Sequence, residues 1–397
     1  MTAQSDYTGL ILISGPDSPG ITAGLTAVLS PFAITILEMD QILTRGRLIQ
    51  TTLIRLNRDH ASAIETDLLA FTEKSGLDLA IDFGEISKEQ IAENEIVLTI
   101  VSPALTPTAV STIAKSCAHV QGNIIAIRKL AKKPLTAMEY RVHFAGPIPQ
   151  LDALAREITV DLADLKTTVL LQRPYDRHKF GQLVMLDVDS TLITQEVIDQ
   201  LATKASVGEE VAAITESAMR GELDFESSLR KRVGLLAGAP ASIIDEVRAE
   251  ITLTPGAKTL ITTIHAAGGK VGVVSGGFTN VVDSLAAELG LDFVRANTLE
   301  IIDGKITGQL VGPIITRAGK AEALTEFAAR EGVAMESTIA IGDGANDLDM
   351  LELAGLGIAF NAKPAVQEAS DISINFPDLA ASLHLLGFTS NEIERID

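Results

Sequence analysis

Residues 183–186 read Leu-Val-Met-Leu, and no charge interrupts this apolar run before Asp187. An unbroken run predicts a strand buried on both faces, as in the middle of a parallel sheet, because a strand with one wet face alternates apolar and polar positions. The pattern returns twice. Lys270-Val-Gly-Val-Val leads into Ser275-Gly276-Gly277, and Ile339-Ala-Ile-Gly leads into an acidic loop, Asp343-Gly-Ala-Asn346-Asp347. Short strands at 293–296, 357–360 and 372–374 extend the same sheet, and helical periods cover 279–289, 321–330 and 380–386. A hairpin through 301–308 turns at Asp303-Gly304. Residues 194 to about 250 are helical throughout, punctuated by Gly208, Gly221, Gly234 and Gly238.

The amino-terminal part has another rhythm. A strand at 8–14, a helix at 19–29, strands at 33–43 and 48–56 about a turn at 45–47, a charged helix at 61–74 and a strand at 77–83 give the order βαββαβ. After an acidic linker at 87–95 the order recurs, with strands at 96–102, 122–130, 138–144 and 167–172 and helices at 107–118 and 151–162. Two ferredoxin-like units made by internal duplication account for this pattern. A Pro174-containing charged stretch then links them to the rest, which gives domains at 1–88, 89–174 and 175–397.

Composition narrows the function. Of 397 residues 46% are hydrophobic and 21% charged, which excludes general disorder. A net charge of -20 argues against nucleic acid and anionic membranes as partners, since both would be repelled over the whole surface. A small anionic substrate stays open, because charges beyond a Debye length of about 8 Å are screened. Cys117 is the only cysteine, so no intrachain disulfide forms and a reducing, cytoplasmic setting is favoured. No basic residue precedes Arg45, which speaks against a secretory signal. The uncharged stretch 18–37 is broken by Pro19, Gly20, Gly24 and Pro31, so a membrane span is not expected.

The candidate chemistry lies at strand ends. In open α/β sheets the ligand crevice is outside the carboxyl ends of the strands, where Asp187, Asp189 and Thr191 fall. Two carboxylates two residues apart repel each other unless one is protonated or a cation joins them, and an all-oxygen set suits Mg2+. Gly276 and Gly277 let backbone amides approach an anion closely, and Ser275 offers a hydroxyl donor. In the first repeat, the loop Gly15-Pro16-Asp17-Ser18-Pro19-Gly20 precedes a helix whose amino terminus suits a carboxylate.

In order and spacing, Asp187-Val-Asp189-Ser-Thr191, the Ser275 loop, Lys320 and the acidic loop 343–347 resemble the four motifs of the haloacid dehalogenase superfamily of phosphatases. The helical insertion resembles the small cap of the superfamily's phosphoserine phosphatase branch, and the 15–20 loop is similar to the ligand loop of amino-acid-binding ACT domains. The resemblance implies a Rossmann-like parallel-sheet core with a small helical cap, preceded by two ferredoxin-like ACT domains. It implies Asp187 as nucleophile and Asp189 as general acid and base. Mg2+ would be held by Asp187, the Asp189 carbonyl and Asp343, with Asp347 behind them as an orienting group. Ser275, Gly276, Lys320 and Asn346 would contact phosphate, while Glu196 and Arg232 would read an amino-acid leaving group, with Met219 and Phe225 lining the pocket. The implied reaction is hydrolysis of O-phospho-L-serine, the last step of L-serine biosynthesis; phosphothreonine or phosphohomoserine is the alternative. Asp17 and Gly20 would bind an amino-acid effector such as L-serine, and ACT pairing implies a homodimer.

Overall fold

The computed structural model describes residues 7–85, 94–131, 135–162, 165–173, 183–219 and 223–396. The expected boundaries at 88/89 and 174/175, and the Met219 side chain, lie outside the described residues. The chain divides into two compact units, Met1–Glu93 and Asn94–Asp397.

The first unit is the first repeat. Strands β1 (Tyr7–Pro16), β2 (Thr35–Thr44), β3 (Arg47–Arg55) and β4 (Asp78–Glu85) form an antiparallel sheet in the order β2-β3-β1-β4. The tight β2–β3 turn depends on positive φ at Arg45 (50°) and Gly46 (73°), the combination of a type I′ hairpin. Helices Ile21–Leu29 and Ala61–Ser75 bury Ile21, Leu25, Leu29, Ile64 and Leu68 against Ile11, Ile13, Leu48 and Ile54.

The second unit holds the second repeat and the large sheet. In the repeat, β5 (Glu95–Ser102), β6 (Gly122–Lys129), β7 (Thr136–Phe144) and β8 (Thr168–Gln172) are ordered β6-β7-β5-β8, with helices Pro107–His119 and Leu151–Asp161. Its core does not end at its own helices. Val101, Leu130, Ala137 and Leu170 join one continuous apolar cluster with Ile374, Leu379, Leu383 and Leu386 from the chain's last hundred residues. Thr168 Oγ1 donates to Ser373 O at 2.6 Å, and Ser390 N donates to Leu130 O at 2.8 Å.

The large sheet contains β9 (Leu183–Leu186), β10 (Lys270–Phe278), β11 (Phe293–Ile302), β12 (Lys305–Val311), β13 (Thr338–Gly342), β14 (Leu356–Phe360) and β15 (Ile372–Ile374), ordered β12-β11-β10-β9-β13-β14-β15. All neighbours are parallel except β11 and β12. Strand β9 is central, and its four residues are fully buried, as an unbroken apolar run requires. Each such side chain contributes about 1.5–3 kcal/mol relative to exposure. One expectation is corrected here: 293–296 and the first hairpin arm are a single strand, β11, because Asn297 and Thr298 have hydrogen-bond partners inside the fold. The Asp303-Gly304 turn is as expected, with φ of 52° and 72°. Among the described residues of 194–250 there are four helices, Val197–Lys204, Gly208–Met219, Phe225–Gly234 and Ser242–Glu250. Among the described residues, no helix is long and apolar enough to cross a membrane.

Candidate active site

Asp187 follows the last residue of β9, and its N–H donates to Ile341 O at 2.9 Å, so the backbone is tied to β13 while the side chain leaves the ladder. Its Oδ1 accepts from Val188 N at 2.7 Å and from Lys320 Nζ at 2.8 Å. The same ammonium donates to Asp347 Oδ1 at 2.5 Å. Lys320 is only 1% exposed and Asp347 fully buried. The lysine lies in the first turn of helix Arg317–Glu331, which begins earlier than the expected residue 321. Thr316 Oγ1 caps the turn by accepting from Gly319 N at 3.2 Å, which offsets the weak helix preference of glycine there.

Carboxylate oxygens of Asp187, Asp343 and Asp347 lie within 4.8 Å of one another. One lysine does not neutralise three such groups. Burial, then the nearby Asp347 charge, raises the Asp187 pKa well above its usual range, with Lys320 opposing. Burial, with Asp347 and Glu196, lifts Asp343 to about 6. Burial works against the charge on Lys320, but Asp187 and Asp347 outweigh it and raise its pKa. A buried, all-oxygen, electron-rich cluster fits a hard divalent cation such as Mg2+. Asp347 has both oxygens engaged, Oδ1 by Lys320 and Oδ2 by Gly344 N at 3.0 Å, whereas Asp343 accepts from the Thr191 hydroxyl at 3.2 Å.

Asp189 is on the turn after β9, where Ser190 takes a left-handed conformation (φ 55°). The turn folds back on itself: Ser190 N donates to Gln195 O at 3.2 Å and Ser190 Oγ to Glu196 Oε1 at 2.7 Å. Asp189 Oδ1 accepts from Val197 N at 3.0 Å, which fixes it to the first cap helix. Its Oδ2 approaches the Ser275 loop so closely that a Cβ at Gly277 would lie 3.1 Å from it. Burial, then the Glu196 charge, lifts Asp189 to about 7, so this carboxyl can hold a proton near neutrality.

Opposite stands the Ser275 loop, the irregular part of β10 between Val274 and Phe278 where its register with β11 shifts. Ser275 is fully buried, and its Oγ accepts from Gly277 N at 2.7 Å, which leaves the hydroxyl proton to be donated elsewhere. A Cβ at Gly276 would be 3.0 Å from the ring of Phe225, so the cap closes directly over this glycine. Asn346 folds over the acidic loop, its Oδ1 2.1 Å from where a Cβ at Gly344 would be. On the third cap helix Arg230 pairs outward with Glu226 at 2.8 Å, while Arg232 is half-buried with its Nε unpartnered. Burial lowers the Arg232 pKa against Asp199, Glu196 and Asp189, which favour its charge.

Asp187, Asp189, Glu196, Arg232, Ser275, Gly276, Lys320, Asp343, Asn346 and Asp347 therefore all belong to the second unit, on the strand ends, the cap and, for Lys320, the first turn of helix Arg317–Glu331. Asp17 and Gly20 belong to the first unit, where Asp17 is exposed and Gly20 (φ 98°) precedes helix Ile21–Leu29. Sequence reading passed over Asn297, which is buried behind Gly276; a lone asparagine after an apolar run carries no signal of its own.

This fold and site define a hydrolase class. Residues 184–352 match the haloacid dehalogenase-like hydrolase family, and residues 8–82 and 96–170 each match the ACT domain. The chain is 46% identical to phosphoserine phosphatase of Streptomyces coelicolor over 98% of this chain and 94% of that protein. It is 44% identical to a phosphoserine phosphatase of Mycobacterium tuberculosis, over 98% and 95%. A solved structure described as a phospho-aspartyl intermediate analogue of phosphoserine phosphatase aligns with 52% of this chain and 99% of its own, with a TM-score of 0.50 and 45% identity. The chain belongs to the phosphoserine phosphatase family of haloacid dehalogenase-like hydrolases.

Proposed function

We propose that the chain hydrolyses O-phospho-L-serine to L-serine and phosphate through an aspartyl-phosphate on Asp187, as the last step of L-serine biosynthesis. The observation that carries the choice of substrate is Arg232, a half-buried guanidinium whose Nε has no partner and whose charge is favoured by Asp199, Glu196 and Asp189. A zwitterionic leaving group needs a cation for its carboxylate and an anion for its ammonium, and these two residues supply them.

Asp187 attacks phosphorus in line, and Asp189 gives its proton to the departing serine oxygen, then takes one from the water that cleaves the acyl phosphate. An Asp189 pKa of about 7 suits both steps. Lys320, the Ser275 hydroxyl, the Gly276 amide and Asn346 bind the phosphoryl oxygens. Asp187, Asp343 and the Asp189 carbonyl would hold Mg2+, which supplies charge neutralisation for the transferring group. Both oxygens of Asp347 already accept hydrogen bonds, which supports an orienting role. Phe225, packed over Gly276, shields this side of the site from water.

Domains at 1–88, 89–174 and 175–397, a homodimer, a cytoplasmic setting and an amino-acid effector such as L-serine at Asp17 and Gly20 complete the reading. Its test is phosphate release from L-phosphoserine beside L-phosphothreonine, with Mg2+, for the natural chain and Asp187→Asn. Preference for phosphoserine that is abolished in the variant supports nucleophile and substrate together. Equal turnover of both substrates retracts the serine assignment, and activity surviving in the variant sinks the mechanism.

A further inference from the structure

Asn297 is 2% exposed and uses both ends of its side-chain amide on backbone groups. Its Nδ2 donates to Gly276 O at 2.8 Å, and its Oδ1 accepts from Ile315 N at 2.9 Å. Only one orientation of the amide satisfies both partners, so its direction is fixed. The two partners belong to different arms of the phosphate site: Gly276 to the serine loop, Ile315 to the segment that enters the helix carrying Lys320.

The first contact reaches further than the glycine. Gly276 O and Gly277 N are the two ends of one peptide plane, and Gly277 N donates to Ser275 Oγ at 2.7 Å. Hydrogen bonds therefore run in series from Asn297 Nδ2 to Gly276 O, through the peptide, and from Gly277 N to Ser275 Oγ. Each bond polarises the next, and the last occupies a lone pair of the serine oxygen, which turns its proton outward. The second contact holds Ile315, next to Thr316, whose carbonyl accepts from Lys320 N at 3.0 Å and whose hydroxyl caps the helix.

We infer that Asn297 is a positioning residue, a spacer that sets the distance between the Ser275 hydroxyl and the Lys320 ammonium and aims both at the phosphoryl group. It touches no substrate atom. Its effect falls on phosphate and on turnover, and spares the cap that reads the amino acid. This rests on the phosphatase reading only in requiring a phosphoryl group, so it holds whichever phosphomonoester is the substrate.

The test uses the full-length protein with Asn297→Asp, which has nearly the same shape and keeps the acceptor for Ile315 N but opposes Gly276 O with oxygen. Asn297→Leu serves as a second variant, of similar size and with neither donor nor acceptor. Three quantities are read: kcat, the affinity for inorganic phosphate measured by calorimetry with Mg2+, and inhibition by L-serine. Misplacement of a reacting group by about 1 Å costs on the order of 100-fold. The expected result for Asp is kcat lower by about 10- to 100-fold and phosphate bound about 10-fold more weakly, with L-serine inhibition unchanged and losses at least as large in Leu. A variant that melts earlier but keeps kcat and phosphate affinity would make Asn297 a packing residue only and overturn the inference. Should neither variant fold, the natural chain decides: phosphate titration must shift the Asn297 side-chain amide proton in NMR, and an unmoved resonance overturns the series. Phosphate binding is read without turnover, so failure of the serine assignment would leave this result separately legible.

Discussion

Burial raises the Asp189 pKa on folding, and this has a measurable consequence in divalent-free buffer. Its rise from an ordinary 3.8 to about 7 is driven first by burial and then by Glu196. A carboxyl raised on folding contributes most below its unfolded pKa, and stability falls as pH climbs from about 4 to about 7, then levels. At 1.36 kcal/mol per pKa unit the whole loss is roughly 4 kcal/mol, about 3 of it between pH 4.5 and 8. Other groups titrate in this window: Asp343, lifted to about 6, acts in the same sense, and His384, lowered by burial, acts in the opposite one. Comparison with Asp189→Asn cancels the groups that do not feel the Asp189 charge, because asparagine keeps the acceptor for Val197 N and has no proton to lose; what remains is Asp189 together with its coupling to Asp187, whose pKa that charge raises. The assay is urea unfolding in EDTA across pH 4.5–8. The natural chain should lose about 3 kcal/mol more than the variant over that range. Mg2+ at about 100 times its Kd should return about 2.7 kcal/mol, with the larger effect at pH 8, where protons no longer compete for the cluster. Parallel curves for the two proteins, or a natural chain that gains on the variant as pH rises, would refute the assignment of this proton to Asp189.

Two further outcomes follow from the ion pairs. Lys320→Met removes the only cation bonded to Asp187 and Asp347 among the described residues, and unfolding in EDTA should show a loss of about 3–5 kcal/mol; a loss below about 1 kcal/mol would mean that the carboxylates are not charged in the folded state. Arg232→Lys keeps the charge but not the planar fork, so kcat/KM for phosphoserine should fall by about 100-fold while phenyl phosphate, which has no carboxylate, changes by less than about threefold; equal losses on both substrates would move Arg232 from substrate recognition to cap folding.

Much of this was legible in the chain because the large sheet is written in apolar runs and its chemistry in the residues that end them. Asp187, Ser275 and Asp343 each follow such a run, and strand ends are where a parallel sheet opens. What stayed hidden depends on tertiary contact. Asn297 and Thr298 read as a break after a short strand, but the fold gives each a buried or half-buried partner, and β11 continues through them. The helix that carries Lys320 starts four residues earlier than the expected 321, at Arg317, because Thr316 caps a turn that Gly319 seemed to interrupt. The depth of Lys320 was equally invisible, since one lysine reads the same whether it faces water or two carboxylates. Similarly, Thr168 meets Ser373 across 205 positions of sequence, a separation that no periodicity reports.

That last contact makes the two repeats unequal as units of inheritance. A gene rearrangement that exchanged or lost residues 1–85 would remove a compact unit with its own apolar centre. One that cut between β8 and β9 would divide a single apolar cluster, stranding Val101, Leu130, Ala137 and Leu170 on one product and Ile374, Leu379 and Leu386 on the other. Of the two copies of the βαββαβ pattern, the first is a compact unit by itself, whereas the second shares its apolar cluster with the carboxyl-terminal segment. For the second, a substitution on its sheet face and one on the carboxyl-terminal segment act on the same apolar cluster.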